Sequence, residues 1–126
     1  MTSLWVAVAL SIAGGVGAVC RFVLDGLLTE RLRIAYPVGT TLINLSGSFL
    51  LGLVTGVAVA NALPPEMRLI LGAGFLGGYT TFSAASLDTV RLAQQRRWGA
   101  AFANGLGMLL GALLAAGIGL WLGGLL

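Results

Sequence analysis

The residues best placed to do chemistry run from Gly74 to Ser86: Gly74-Phe75-Leu76-Gly77-Gly78-Tyr79-Thr80-Thr81-Phe82-Ser83-Ala84-Ala85-Ser86. They lie inside an apolar segment, where a plain spanning helix would carry Leu and Val. The adjacent glycines lower the cost of leaving helical geometry, and the hydroxyls of Thr80, Thr81, Ser83 and Ser86 can pair with backbone groups set free. At membrane depth such a break is tolerated only against protein or a hydrated cavity. A second set recurs at every fourth residue, Thr40, Asn44, Ser48, Gly52 and Gly56, and so shares one helix face. Asn44 is the costly member. It reads either as interhelical glue, worth roughly 0.6 kcal/mol on average, or, with Thr40 and Ser48, as the wall of a path. The interior thus offers neutral donors: the Asn44 amide, the hydroxyls of Thr40, Ser48, Thr80, Thr81 and Ser83, and the positive edge of Phe82. Donors without fixed negative charge suit a small anion that must exchange its hydration shell.

Other chemistries lack their reagents. There is no His, no buried carboxylate pair and no Ser with a base at hand, so the chain is not expected to be an enzyme. Asp25, Glu30, Glu66 and Asp88 all fall at or near predicted helix ends. A small multidrug-type exporter, similar in length and helix count, would need an intramembrane glutamate. The lone Cys20 sits in the first apolar segment and reads as a small hydrophobe, with no disulfide framework or Cys/His metal site.

The elements that must position these residues follow from composition. Of 126 residues, 58% are hydrophobic and 9% charged, with mean hydropathy +1.00, which makes this an integral membrane protein. A span takes about 20 apolar residues, so residues 1–126 are expected to form one all-α domain of four transmembrane helices. They are placed at about 4–24, 38–60, 67–90 and 99–122, the third broken near its middle. Gly14, Gly15 and Gly17 give the first helix a thin face for close approach, and the fourth carries Gly107 and Gly111 four apart with Asn104 as its one strongly polar residue. Met1 to Leu4 carries no Lys or Arg and Val19 is a poor cleavage position, so the first segment is expected to remain as a mature helix. Trp5, Trp98 and Trp121 fall near helix ends, as interfacial aromatics do.

The net charge of +3 comes from seven arginines and reads as topology in a bilayer, not as nucleic-acid binding. Arg31, Arg33, Arg91, Arg96 and Arg97 fall in the first and third loops; only Arg68 is near the second. This bias places those two loops in the cytoplasm and both termini outside the cell membrane. Arg21 either snorkels to the headgroups or adds positive potential at the mouth of an anion path, with Asp25 as its one nearby partner.

Gly39-Thr40-Thr41-Leu42-Ile43-Asn44-Leu45-Ser46-Gly47, Gly74 to Ser83, and the Gly17 to Arg21 pattern resemble the small four-helix fluoride channels called Fluc or CrcB, over essentially the full chain. The resemblance implies an antiparallel dimer with two fluoride paths and passive fluoride export. It also implies a structural sodium ion at the dimer centre, held by the main-chain carbonyls of Gly77 and Thr80. Asn44 then matches the pore asparagine, Phe82 the first aromatic of a fluoride-lining pair and Thr40 a pore threonine, with Thr81 and Ser83 beside them and Arg21 supplying potential at the mouth.

Two departures stand out. Ala85 occupies the position of the family's second phenylalanine, and Asn104, Met108 and Ala112 fall where the fourth helix usually carries hydroxyls. Homodimeric members insert both ways and keep little arginine bias, whereas this chain counts five against one. The expectation is therefore one half of a heterodimer whose partner inserts the other way round. The alternative is a non-conducting subunit whose polar stripe serves only assembly.

Overall fold

The computed structural model describes residues 3–34, 36–61 and 63–126. Helix α1 spans Leu4–Leu32 and α2 spans Val38–Asn61. The third apolar segment is split into α3, residues 65–79, and α4, Phe82–Gln94. Helix α5 spans Trp98–Leu125. Among the described residues α1, α2 and α5 are long and apolar enough to cross a membrane, and the broken α3–α4 pair completes an all-α membrane fold of four passes.

α1 runs to Leu32 and ends at the left-handed Arg33 (φ 48°), well past the expected end at Leu24. Charge marks where a span leaves the bilayer; it does not stop a helix. Residues 25–32 contain no Pro, and Leu24, Leu28 and Leu32 hold a helical spacing. The expected loop is thereby reduced to the residues just before α2.

Two glycine seams set the packing. A methyl group added at Gly17 would overlap the Phe75 carbonyl, and one at Gly78 the Gly14 carbonyl, so α1 and α3 meet backbone to backbone. Gly52 and Gly56 likewise meet the Ala116 and Leu120 carbonyls, and Gly119 and Gly123 meet those of Phe49 and Leu53, joining α2 to α5. The lower half of the α2 stripe is therefore a helix-docking groove. Around the break, Ile43, Leu76 and Tyr79 form a buried core with Leu24 and Phe75 packed on it. Phe75 and Tyr79 stack with ring centroids 6.0 Å apart. Large apolar side chains such as Ile12, Phe22, Leu113 and Leu114 point outward, as they must toward lipid.

The break lies at Thr80 (φ −80°, ψ 160°) and Thr81 (φ −148°, ψ 120°), two extended residues between helices. Gly77 and Gly78 remain helical. Their expected part in opening the helix is thus corrected: Gly78 serves close approach to α1, and the threonines make the opening. α3 and α5 also contain wider π-helical windings at Leu69–Leu76 and Ala103–Gly107.

Candidate functional site at the broken helix

Side chains hold the break open. Asn44 Nδ2 donates to the Thr81 carbonyl at 2.8 Å, and the Thr81 N–H donates back to Asn44 Oδ1 at 2.8 Å. The Thr81 hydroxyl accepts from the Ala84 N–H at 3.1 Å, an N-cap that starts α4. In a continuous helix the Thr81 and Ala84 N–H groups would bond the Gly77 and Thr80 carbonyls. Both carbonyls have lost those donors. The next one, Gly78 O, receives Arg21 Nε at 3.2 Å, so the half-buried guanidinium lies against the break.

Gly77 and Thr80 thus present the neutral main-chain oxygens that suit a hard monovalent cation. Among the described residues no group of three or more His, Cys, Asp or Glu offers a competing metal site. The donor type fits sodium. Two oxygens are few for such an ion, and a second copy of the break would have to complete its shell.

The predicted donors separate into spent and open ones. The Thr80 hydroxyl bonds Leu76 O at 2.9 Å, and those of Thr81 and Ser83 pair with each other at 3.3 Å. Asn44, only 9% exposed, sends its second amide proton to Met108 Sδ at 3.2 Å. Thr40, one turn earlier, is 6% exposed. It lines a cavity of about 280 Å³ with Asp25, Tyr36, Gly39, Asp88 and Arg91. The Asp25 carboxylate lies over Gly39 and would have to turn aside for any side chain there. Burial pushes the Tyr36 phenol above its ordinary 10.0, outweighing the lowering by its bond to Thr41, so this hydroxyl stays neutral. Ser48 faces elsewhere, into a cavity of about 420 Å³ with Gly77 and Thr80. Phe82 is 87% exposed and borders a third space of about 210 Å³ with Ala85, Ser86, Asn104 and Met108.

The break therefore gathers Asn44, Thr81 and Arg21, with Thr40 a turn away, while Phe82 and Ser83 look outward. Two partners were not legible as such. Asn104, 1% exposed, donates to Ala85 O at 3.1 Å and Thr89 Oγ1 at 2.8 Å, tying α4 to α5. Its Oδ1 has no partner among the described residues. Met108 meets Asn44 through sulfur, which no apolar pattern announces.

A family model described as CrcB-like protein, Camphor Resistance (CrcB), matches residues 8–120. The chain belongs to the CrcB family. Among CrcB relatives, "Fluoride-specific ion channel FluC 1" of Leifsonia xyli subsp. xyli (strain CTCB07) is 62% identical over 108 residues, covering 86% of this chain and 79% of the relative. "Fluoride-specific ion channel FluC 2" of Cutibacterium acnes (strain DSM 16379 / KPA171202) is 45% identical over 119 residues, covering 90% and 94%. The FluC 2 of Mycolicibacterium paratuberculosis (strain ATCC BAA-968 / K-10) is 44% identical over 104 residues, covering 82% of each. This CrcB chain is not an enzyme. Among the described residues the interior polar groups position backbone and tie helices together.

Proposed function

We propose that the chain is a pore-forming subunit of a fluoride-specific channel that lets fluoride leave the cell passively. The observation that carries the reading is the Asn44–Thr81 clamp at the helix break. It fixes a break with uncharged polar groups inside an apolar segment, in a chain similar to proteins named fluoride-specific ion channels. Thr40 supplies an unspent hydroxyl on the wall of the vestibule, and Asn44 lies a turn deeper. Phe82 offers its ring edge beyond it. The vestibule carries the Asp25 and Asp88 carboxylates beside Arg91; no charged residue lines the space at Phe82, where an anion exchanges water for neutral donors.

The working unit is an antiparallel dimer, its second subunit a homologue of opposite insertion. Gly77 and Thr80 of this chain would hold a structural sodium ion at the dimer centre. That ion would supply fixed positive potential and tie the two breaks together. The bias of Arg31, Arg33, Arg91, Arg96 and Arg97 against Arg68 supports an orientation with both termini outside the cell membrane.

A second reading, in which this chain assembles without conducting, is favoured by one observation: the α4–α5 wall is poor in free donors. Ala85 lacks a ring, and Asn104 spends both amide protons on Ala85 O and Thr89. Fluoride-electrode efflux from liposomes separates the readings. Conduction predicts that Thr40→Val and Phe82→Ala cut efflux at least tenfold in an assembly of native size. A purely structural role predicts that they alter assembly and spare the flux of whatever remains assembled. Liposomes holding this chain alone should be silent and gain efflux when the homologue is co-expressed; robust efflux from the chain alone would overturn the heterodimer.

A further inference from the structure

We infer that Met108 is a plug: its thioether occupies the amide proton of Asn44 that a permeating anion would use, and its bulk closes the passage beyond. The inference rests on the fluoride-path reading above. Asn44 Nδ2 carries two protons. One is committed to Thr81 O at 2.8 Å, and the return bond from the Thr81 N–H at 2.8 Å stops the carboxamide from turning. The other points at Met108 Sδ, 3.2 Å away.

These two acceptors are unequal. A peptide carbonyl is a strong acceptor and a thioether a weak one, while a full anion outcompetes both for an N–H. The sulfur therefore keeps a buried proton from being orphaned without binding it tightly. A leucine of similar volume would leave that proton unpaired.

The surroundings agree. Thr40 borders the 280 Å³ vestibule. Met108 borders the 210 Å³ cavity with Phe82, Ala85 and Ser86. The two spaces share no lining residue, and Asn44 lines neither. Met108, 7% exposed, contacts Asn44, one turn on from the Thr40 of the vestibule, and itself lines the second space. It also follows directly on the π-helical winding Ala103–Gly107, and a side chain with three rotatable bonds can swing without moving the backbone. Fluoride arriving at Asn44 would displace the sulfur, take its proton and open the way toward Phe82.

The test is fluoride-electrode efflux from liposomes holding the assembled channel, native and with Met108→Ala, Met108→Val or Met108→Leu. Trimming the plug should raise initial efflux on the order of threefold or more for Met108→Ala, with Met108→Val moving the same way and chloride flux staying at background. Met108→Leu, which keeps the bulk, should be no faster than native. A gain of this kind is not mimicked by a damaged fold. Efflux of Met108→Ala and Met108→Val at or below native, in assemblies of native size, would overturn the plug alone, as would Met108→Leu running as fast as Met108→Ala. Silence of the native assembly and of every variant would overturn the functional reading and the plug together.

Discussion

Asn44 makes hydrogen bonds through both ends of its carboxamide, and two of the three go to the main chain of one residue, Thr81. Its first task is structural: it replaces the helical partners that Thr81 gives up at the break. Asn44→Ala should therefore orphan a backbone N–H and a carbonyl together, at about 1–3 kcal/mol for each buried group left unsatisfied. Thermal unfolding in detergent, followed by tryptophan fluorescence, should show a midpoint several degrees lower. An unchanged midpoint would mean that the break is held by other contacts. Asn44→Asp should fare no better, because a carboxylate has no proton for the Thr81 carbonyl. That Asn44 mattered was legible from the sequence, since an amide inside an apolar span must find partners. Which partner was not legible, because the Thr81 N–H becomes available only once the helix opens. Arg21 is the same kind of case, meeting Gly78 O across 57 positions of chain.

The elements owe their placement to small residues, and here the sequence was readable as pattern more than as purpose. Gly52 and Gly56 continue the Thr40–Asn44–Ser48 spacing, yet they dock α5, because a helix of 3.6 residues per turn carries an every-fourth stripe slowly around its axis. Gly77 and Gly78 look like a hinge in the sequence and remain helical in the structure. Glycine marks both flexibility and close approach, and only the neighbouring helix decides between them. Gly117 and Gly119 on α5 separate the two directly. A methyl at Gly119 would overlap the Phe49 carbonyl, whereas one at Gly117 meets nothing within 4 Å. Gly119→Ala should force α2 and α5 apart and abolish a monodisperse peak in size-exclusion chromatography. Gly117→Ala should elute as native and unfold no earlier, since Ala is favoured over Gly within a helix by about 0.5–1 kcal/mol. Equal behaviour of the two variants would deny the seam.

At the scale of the whole molecule, orientation decides what the chain can assemble with. A chain that inserts in one direction only cannot supply both halves of an antiparallel pair, so the proposed orientation and the proposed second gene product stand or fall together. Arg31, Arg33 and Arg96 are exposed, on the C-terminal end of α1 or in the connections beside it and after α4. Changing all three to Gln would reduce the count from five against one to two against one and leave the break and its clamp untouched. Positive charge sets orientation by resisting transfer across the membrane, so the altered chain should insert both ways. A Cys20→Ser background with Leu126→Cys at the exposed end of α5 reports this through an impermeant maleimide added to intact cells. The native arginines should give nearly complete labelling from outside, and the triple variant about half. The variant should also become able to form the antiparallel pair from a single gene, visible as fluoride efflux without the homologue. Leu126→Cys shielded from outside reagent in the native background would reverse the assigned orientation. Half labelling without any gain of self-assembly would mean that surfaces of this chain, and not its direction of insertion, demand a different partner.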